Sequence, residues 1–180
     1  VLTGVMNYYY RELIDMLMDG EIDGRLFSQS IGKCVDDCGT RNLVKSWNIL
    51  SSHDTERIRH RYGKKWKNAL CLQFTLPGSP LIYYGEEIGL ISGNDPHCRQ
   101  PMPWQEIGER SEELEFFKKF TSMYKNNDAV NGGEFETLES NNKEIIAFSR
   151  FTDKLDDYTA VILNNSEREQ EFSLISRESR

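Results

Sequence analysis

The sequence predicts an α/β fold in which parallel β-then-α units give way to a small antiparallel all-β module. Three observations carry this. Short apolar runs alternate with helix-periodic segments over most of the chain. One of those runs, Leu81-Ile82-Tyr83-Tyr84, is continuously apolar between Pro80 and Gly85, the pattern of a strand buried on both faces of a parallel sheet. Near residues 126–132 the grammar changes, and helical periodicity is replaced by short strands between turn residues.

Taken in order, residues 1–6 read as the edge of a strand. Residues 8–18 place Tyr9, Leu13, Met16 and Leu17 at helical spacing, and Asp19-Gly20 supplies the stop. A second helix is predicted over 25–38, closed at Gly39. Residues 43–52 turn extended through Val44, Trp47, Ile49 and Leu50 and run straight into the polar loop Ser52-His53-Asp54-Thr55. Residues 64–76 are again helical, with Trp66, Leu70 and Phe74 on the apolar side, and Pro77-Gly78 ends them. After the 81–84 run, a helix over 111–124 has Ser111 as N-cap, with Glu112 and Glu113 near its positive end and Lys118, Lys119 and Lys125 later. Its core face is Leu114, Phe117, Phe120 and Tyr124. Strands are predicted at 134–138, 144–151, 158–163 and 171–175. The division falls between a β/α part, 1–127, and a β-sandwich-like antiparallel part, 128–180.

Composition narrows the function. With 38% hydrophobic and 28% charged residues in 180, the chain has the balance of a soluble globular protein and not of a disordered one. A formal net charge of −7, with basic residues dispersed apart from a short cluster at 57–67, argues against a nucleic-acid partner. No apolar run approaches the roughly 20 residues of a membrane span, so no membrane partner is expected. Four cysteines lack the spacing of a disulfide scaffold, and reduced thiols are expected. Cys34-x3-Cys38 beside His97-Cys98 lacks a CxxC spacing, so zinc is not expected. The first residues do not read as a secretion signal, which leaves localisation open with a cytoplasmic setting favoured.

Three β/α units cannot close a barrel, and a parallel sheet needs helices on both faces. The chain is therefore expected to be a truncated piece whose natural N-terminus lies upstream. Self-association to cover the open sheet is a further expectation.

The most informative stretch is Asn48-Ile49-Leu50-Ser51-Ser52-His53-Asp54-Thr55-Glu56-Arg57, where a strand delivers His53 and Asp54 to its C-terminal end. Active sites of β/α barrels sit at that end. A plainer reading makes Asp54 a cap that bonds backbone amides at a helix start, and the stretch alone leaves both open.

This stretch resembles the fourth signature region of the α-amylase family, most closely the branch of neopullulanases, cyclomaltodextrinases and maltogenic amylases. Val5-Met6-Asn7-Tyr8 resembles the sixth-strand segment of that branch, and the segment Leu76-Pro77-Gly78-Ser79-Pro80 through Gly85-Glu86-Glu87-Ile88-Gly89 resembles its seventh helix end and eighth strand. Gly93-Asn94-Asp95-Pro96-His97-Cys98-Arg99-Gln100-Pro101-Met102-Pro103-Trp104 resembles the loop that follows. Tyr9 stands where proline is common, and Glu86 where aspartate is usual.

The resemblance implies about strands six to eight of a (β/α)8 barrel followed by a small antiparallel domain, and retaining α-glucan hydrolysis by the whole protein. It makes Asp54 the carboxylate that stabilises the transition state and His53 a ligand of the same sugar. Asp95 and Arg99 would grip sugars on the non-reducing side, or form a local salt bridge, or both. Arg57 would contact the other side of the cleft, or belong to a solvated basic face with Arg59 and Arg61. The nucleophile and general acid would lie upstream. Glu21 and Asp23 resemble those motifs in composition but follow a helix instead of ending a strand. Tyr83 and Tyr84 are expected in the core, with Trp104 open to core or sugar stacking. No cofactor is expected; calcium is possible in the family, but no oxygen-rich cage with ligand spacing is readable here. The competing reading, from another class, is a non-catalytic glucan-binding or interaction module on the same scaffold.

Overall fold

A computed structural model describes residues 4–109 and 111–175. Its elements follow from local chemistry. Helix α1 (Tyr8–Asp19) starts where the Asn7 side chain accepts from the Tyr10 amide, and it stops at Gly20, whose φ of 77° is left-handed. Helix α2 (Gly24–Cys38) is capped by Asp23, which accepts from the Leu26 amide at 2.9 Å, and it ends at Gly39. A helical turn, α3 (Thr40–Leu43), occupies part of the segment expected to be extended. The strand itself, β1 (Trp47–Ile49), is only three residues long.

Helices α4 (Ile58–Tyr62) and α5 (Trp66–Thr75) then carry the chain back to β2 (Ser79–Leu81). Strands β1 and β2 pair in parallel, with Asn48 opposite Pro80, and Met6 adds a parallel bridge to Trp47. A buried amide pair sets this register. Asn48 donates to the carbonyls of Gln73 and Leu76, both at 3.1 Å, while Gln73 donates to those of Asn48 and Leu81 at 2.9 and 2.8 Å. Gly78 is required at the turn between α5 and β2, because its φ is 141° and any Cβ there would collide with the Asn48 amide.

Two expectations are corrected here. The apolar face of α1 is Tyr10, Leu13, Ile14, Leu17 and Met18, and Tyr9 is half-exposed, because the helix turns the 10/14/17 stripe inward. Strand β2 lies two residues earlier than the 81–84 run. The Pro77-Gly78 turn delivers the chain directly into pairing, with the Ser79 amide bonded to Ser46 O, and the chain leaves the sheet before the Gly85 turn. The strand edge expected at 1–6 falls partly outside the described residues; Ser111, expected as an N-cap, is the first residue within its helix, and the position before it lies outside the described residues.

Helix α6 (Ser111–Asn126) packs its aromatic face on α5: Trp66 meets Phe116 edge-on at 5.1 Å, and Phe74 meets Phe120 at 5.7 Å. After α7 (Asp128–Gly132), strands β3 (Glu134–Thr137), β5 (Ile145–Phe151) and β6 (Tyr158–Asn164) form an antiparallel sheet in the order β3-β5-β6. A two-stranded ribbon joins β4 (Glu139–Ser140) to β7 (Leu174–Ile175). Ile146, Phe148, Val161 and Leu163 of the sheet belong to the same hydrophobic cluster as Tyr10, Leu17, Phe27 and Phe74 of the helices. The antiparallel module is therefore held to the β/α part by shared apolar burial, the dominant favourable term in such contacts.

Candidate active site

The loop after β1 and the long loop after β2 meet beyond the C-terminal ends of the two parallel strands. His53 and Asp54 come from the first, Asp95 and Arg99 from the second. Arg99 is the link: its Nε lies 2.6 Å from Asp95 Oδ1 and donates to His53 O at 3.1 Å, and its Nη2 donates to Asp54 Oδ1 at 3.3 Å. His53 Nε2 stands 3.2 Å from the other Asp54 oxygen. All four side chains remain about half exposed, Asp54 at 63%, so they face solvent and not the core.

Asp54 does not act as a helix cap. Helix α4 begins at Ile58, and the Ile58 amide is taken by Glu86, with both carboxyl oxygens within 3.3 Å. Asp54 instead has its own amide held by Ser52 Oγ at 3.1 Å, which aims its carboxylate outward.

Arg57 departs from expectation. It is 0% exposed, so it belongs to neither a sugar-binding surface nor a solvated basic face. Its guanidinium donates to the carbonyls of Tyr84 and Cys98, lies 3.7 Å from Glu86 Oε1, and stacks near the rings of Tyr83 and Tyr84 at 4.7 and 4.8 Å. The tyrosines are likewise not core residues: Tyr84 is 40% exposed and bonds Gln100 O, because the chain has already left the sheet there. Trp104 stands 70% exposed. Glu21 is exposed, and Asp23 is spent on capping α2.

Two buried groups beneath the site were not singled out as functional from sequence. Cys98 donates its thiol to His53 O at 3.0 Å, and Glu86 accepts from Ser51 Oγ at 2.8 Å. Among the described residues no group of three or more His, Cys, Asp or Glu is arranged to hold a metal ion. No described helix is long and apolar enough to cross a membrane.

The profile of the α-amylase catalytic domain matches residues 22–144, most of the chain. The chain belongs to the α-amylase family. It is 33% identical to neopullulanase 2 of Thermoactinomyces vulgaris over 97% of its own length and 30% of that protein's. It is also 33% identical to the cyclomaltodextrinase of Thermoanaerobacter pseudethanolicus, over 92% of the chain and 29% of the relative. The maltogenic amylase structure from S. marinus superposes with a TM-score of 0.85 at 33% identity, covering 93% of this chain and 24% of that one. The chain thus spans about 30% of the length of the curated relatives it matches, and the fold of those relatives is the (β/α)8 barrel of the family.

In this α-amylase-family chain, Glu86 stores a pH dependence. Burial pushes its carboxyl up to about 7, against the pull of Ser51, Arg57 and the Ile58 amide. An acid raised in the folded state holds a proton that the unfolded chain has lost, so stability is greatest below the unfolded value of 4.5 and falls as pH rises toward 7. The drop is expected to reach about 3 kcal/mol. Urea unfolding at pH 5 and pH 8 should show it for the wild type, and a nearly flat profile for Glu86→Gln; equal slopes in both would remove Glu86 as the cause.

Proposed function

We propose that residues 1–127 supply about strands six to eight of the (β/α)8 barrel of a retaining α-glucan hydrolase, and that 128–180 form the small domain after it. Substrates are α-glucosidic oligosaccharides of the starch, maltodextrin or cyclodextrin class. Asp54 is the transition-state stabiliser, His53 binds the same sugar, and Asp95 with Arg99 binds sugars on the non-reducing side. No cofactor takes part. The nucleophile and general acid belong to other strands of the barrel, so the chain alone does not hydrolyse.

The observation that carries this reading is the convergence of Asp54, His53, Asp95 and Arg99, all open to solvent, past the ends of parallel β1 and β2. A carboxylate held there by one arginine can face the positive charge that develops on a glycosyl ring. The exposed Val5, Met6, Trp47 and Ile82 on and beside the short sheet support the partial-barrel reading, since further strands would bury them.

The test is hydrolysis of maltohexaose and of a cyclodextrin, followed by proton NMR, for this chain and for a longer protein that contains it. The longer protein should release the α-anomer first and the chain alone should release nothing. A β-anomer as first product, or turnover by the chain alone, would sink the proposal.

A further inference from the structure

Between the exposed site and the core lies a layer the mechanism does not use. Arg57 and Glu86 are both completely buried, and each bridges segments far apart in sequence. Glu86 holds the two ends of the loop that carries His53 and Asp54: it accepts from Ser51 Oγ at one end and from the Ile58 amide at the other. Arg57, the residue before α4, reaches the opposite way. Its Nη1 donates to Tyr84 O, in the turn after β2, and its Nη2 donates to Cys98 O at 2.9 Å, in the Asp95–Arg99 loop. Its own amide donates to Ser92 O at 3.2 Å. Cys98 and Arg99 close the circuit on His53 O.

We infer that Arg57 and Glu86 are positioning residues: together they fix the loop bearing His53 and Asp54 against the loop bearing Asp95 and Arg99, and so set the distance between the stabilising carboxylate and the sugar grip. This rests on the function proposed above. The geometry favours it over mere burial. A planar guanidinium carries donors on separate nitrogens in a fixed fork, so Nη1 and Nη2 each reach a carbonyl on a different loop, a spread that the single nitrogen of a lysine does not reproduce. Both Arg57 partners lie in segments that carry or adjoin site residues. An error of about 1 Å in such a constellation can cost on the order of 10²-fold in rate.

The experiment uses the full-length hydrolase, assayed on maltohexaose with kcat and KM separated and a thermal melt run beside each assay. Arg57→Lys keeps the buried charge but loses the second carbonyl. It should lower kcat at least tenfold and raise KM, with a cooperative melt retained. The double variant Arg57→Met, Glu86→Leu removes both charges together, which buried pairs tolerate far better than the loss of one partner; it decides the matter if Arg57→Lys does not fold. Its melting temperature should recover toward wild type while kcat does not. Either variant, folded and with wild-type kcat and KM, overturns the inference. A wild-type protein without any glucan hydrolysis would instead overturn the proposed function.

Discussion

In the hydrolase proposed above, Asp54→Asn is expected to lower kcat on maltooligosaccharides by about 10²–10³-fold, with little change in KM. Asparagine keeps the shape of the side chain and can still accept from Arg99, which remains anchored to Asp95 at 2.6 Å and to His53 O. The loop should therefore keep its place. What is lost is a negative charge close to where positive charge develops on the sugar ring. An interaction stronger in the transition state than in the ground state appears in kcat and not in KM. Arg99 and Asp95, which touch bound sugar throughout the reaction in this reading, should act mainly through KM when replaced. A rate within a factor of about three of wild type for Asp54→Asn would leave the carboxylate without the assigned role.

The site's exposed members lie in two short stretches, His53-Asp54 in the loop directly after β1 and Asp95 to Arg99 well inside the long loop after β2. A strand of a parallel sheet presents its C-terminal loop to the ligand side, so order along the chain marks the first stretch, while the family resemblance decides between cap and site for Asp54 and singles out Asp95 and Arg99. Helix limits were equally readable where a glycine had to take a left-handed φ, as at Gly20. Burial was not. Arg57 follows the site loop as part of a basic cluster, and nothing in a local pattern reveals that Tyr84, Cys98 and Glu86 fold over it. Glu86 drew notice only as a departure from the usual aspartate. The 81–84 run looked doubly buried because apolar content carries no register; the turn at Gly78 set the register instead.

The largest stability effect is expected at Arg150, next to the last residue of β5. Its side chain is 0% exposed, and among the described residues no carboxylate forms an ion pair with it; its donors meet three carbonyls, those of Thr75, Gly133 and Glu134, at 2.8, 2.7 and 3.1 Å. Thr75 ends α5, so the guanidinium sits at the negative end of that helix. Burial lowers its pKa to about 10, which leaves it charged at neutral pH. One side chain thus ties the antiparallel sheet to the helix that delivers β2, and through Gln73 and Asn48 to the strand that presents Asp54. Arg150→Met should fill most of the volume yet take the guanidinium donors from three carbonyls, two of them, Thr75 O and Gly133 O, in buried hydrogen bonds, costing about 3–5 kcal/mol and lowering the melting temperature by roughly 10 °C. Arg150→Lys should recover less than half of that, because the single nitrogen of a lysine cannot occupy the three separate donor positions of Nε, Nη1 and Nη2. Urea unfolding of the three proteins gives the comparison directly. A loss below about 1 kcal/mol for Arg150→Met would mean that apolar burial alone holds the module to the helices.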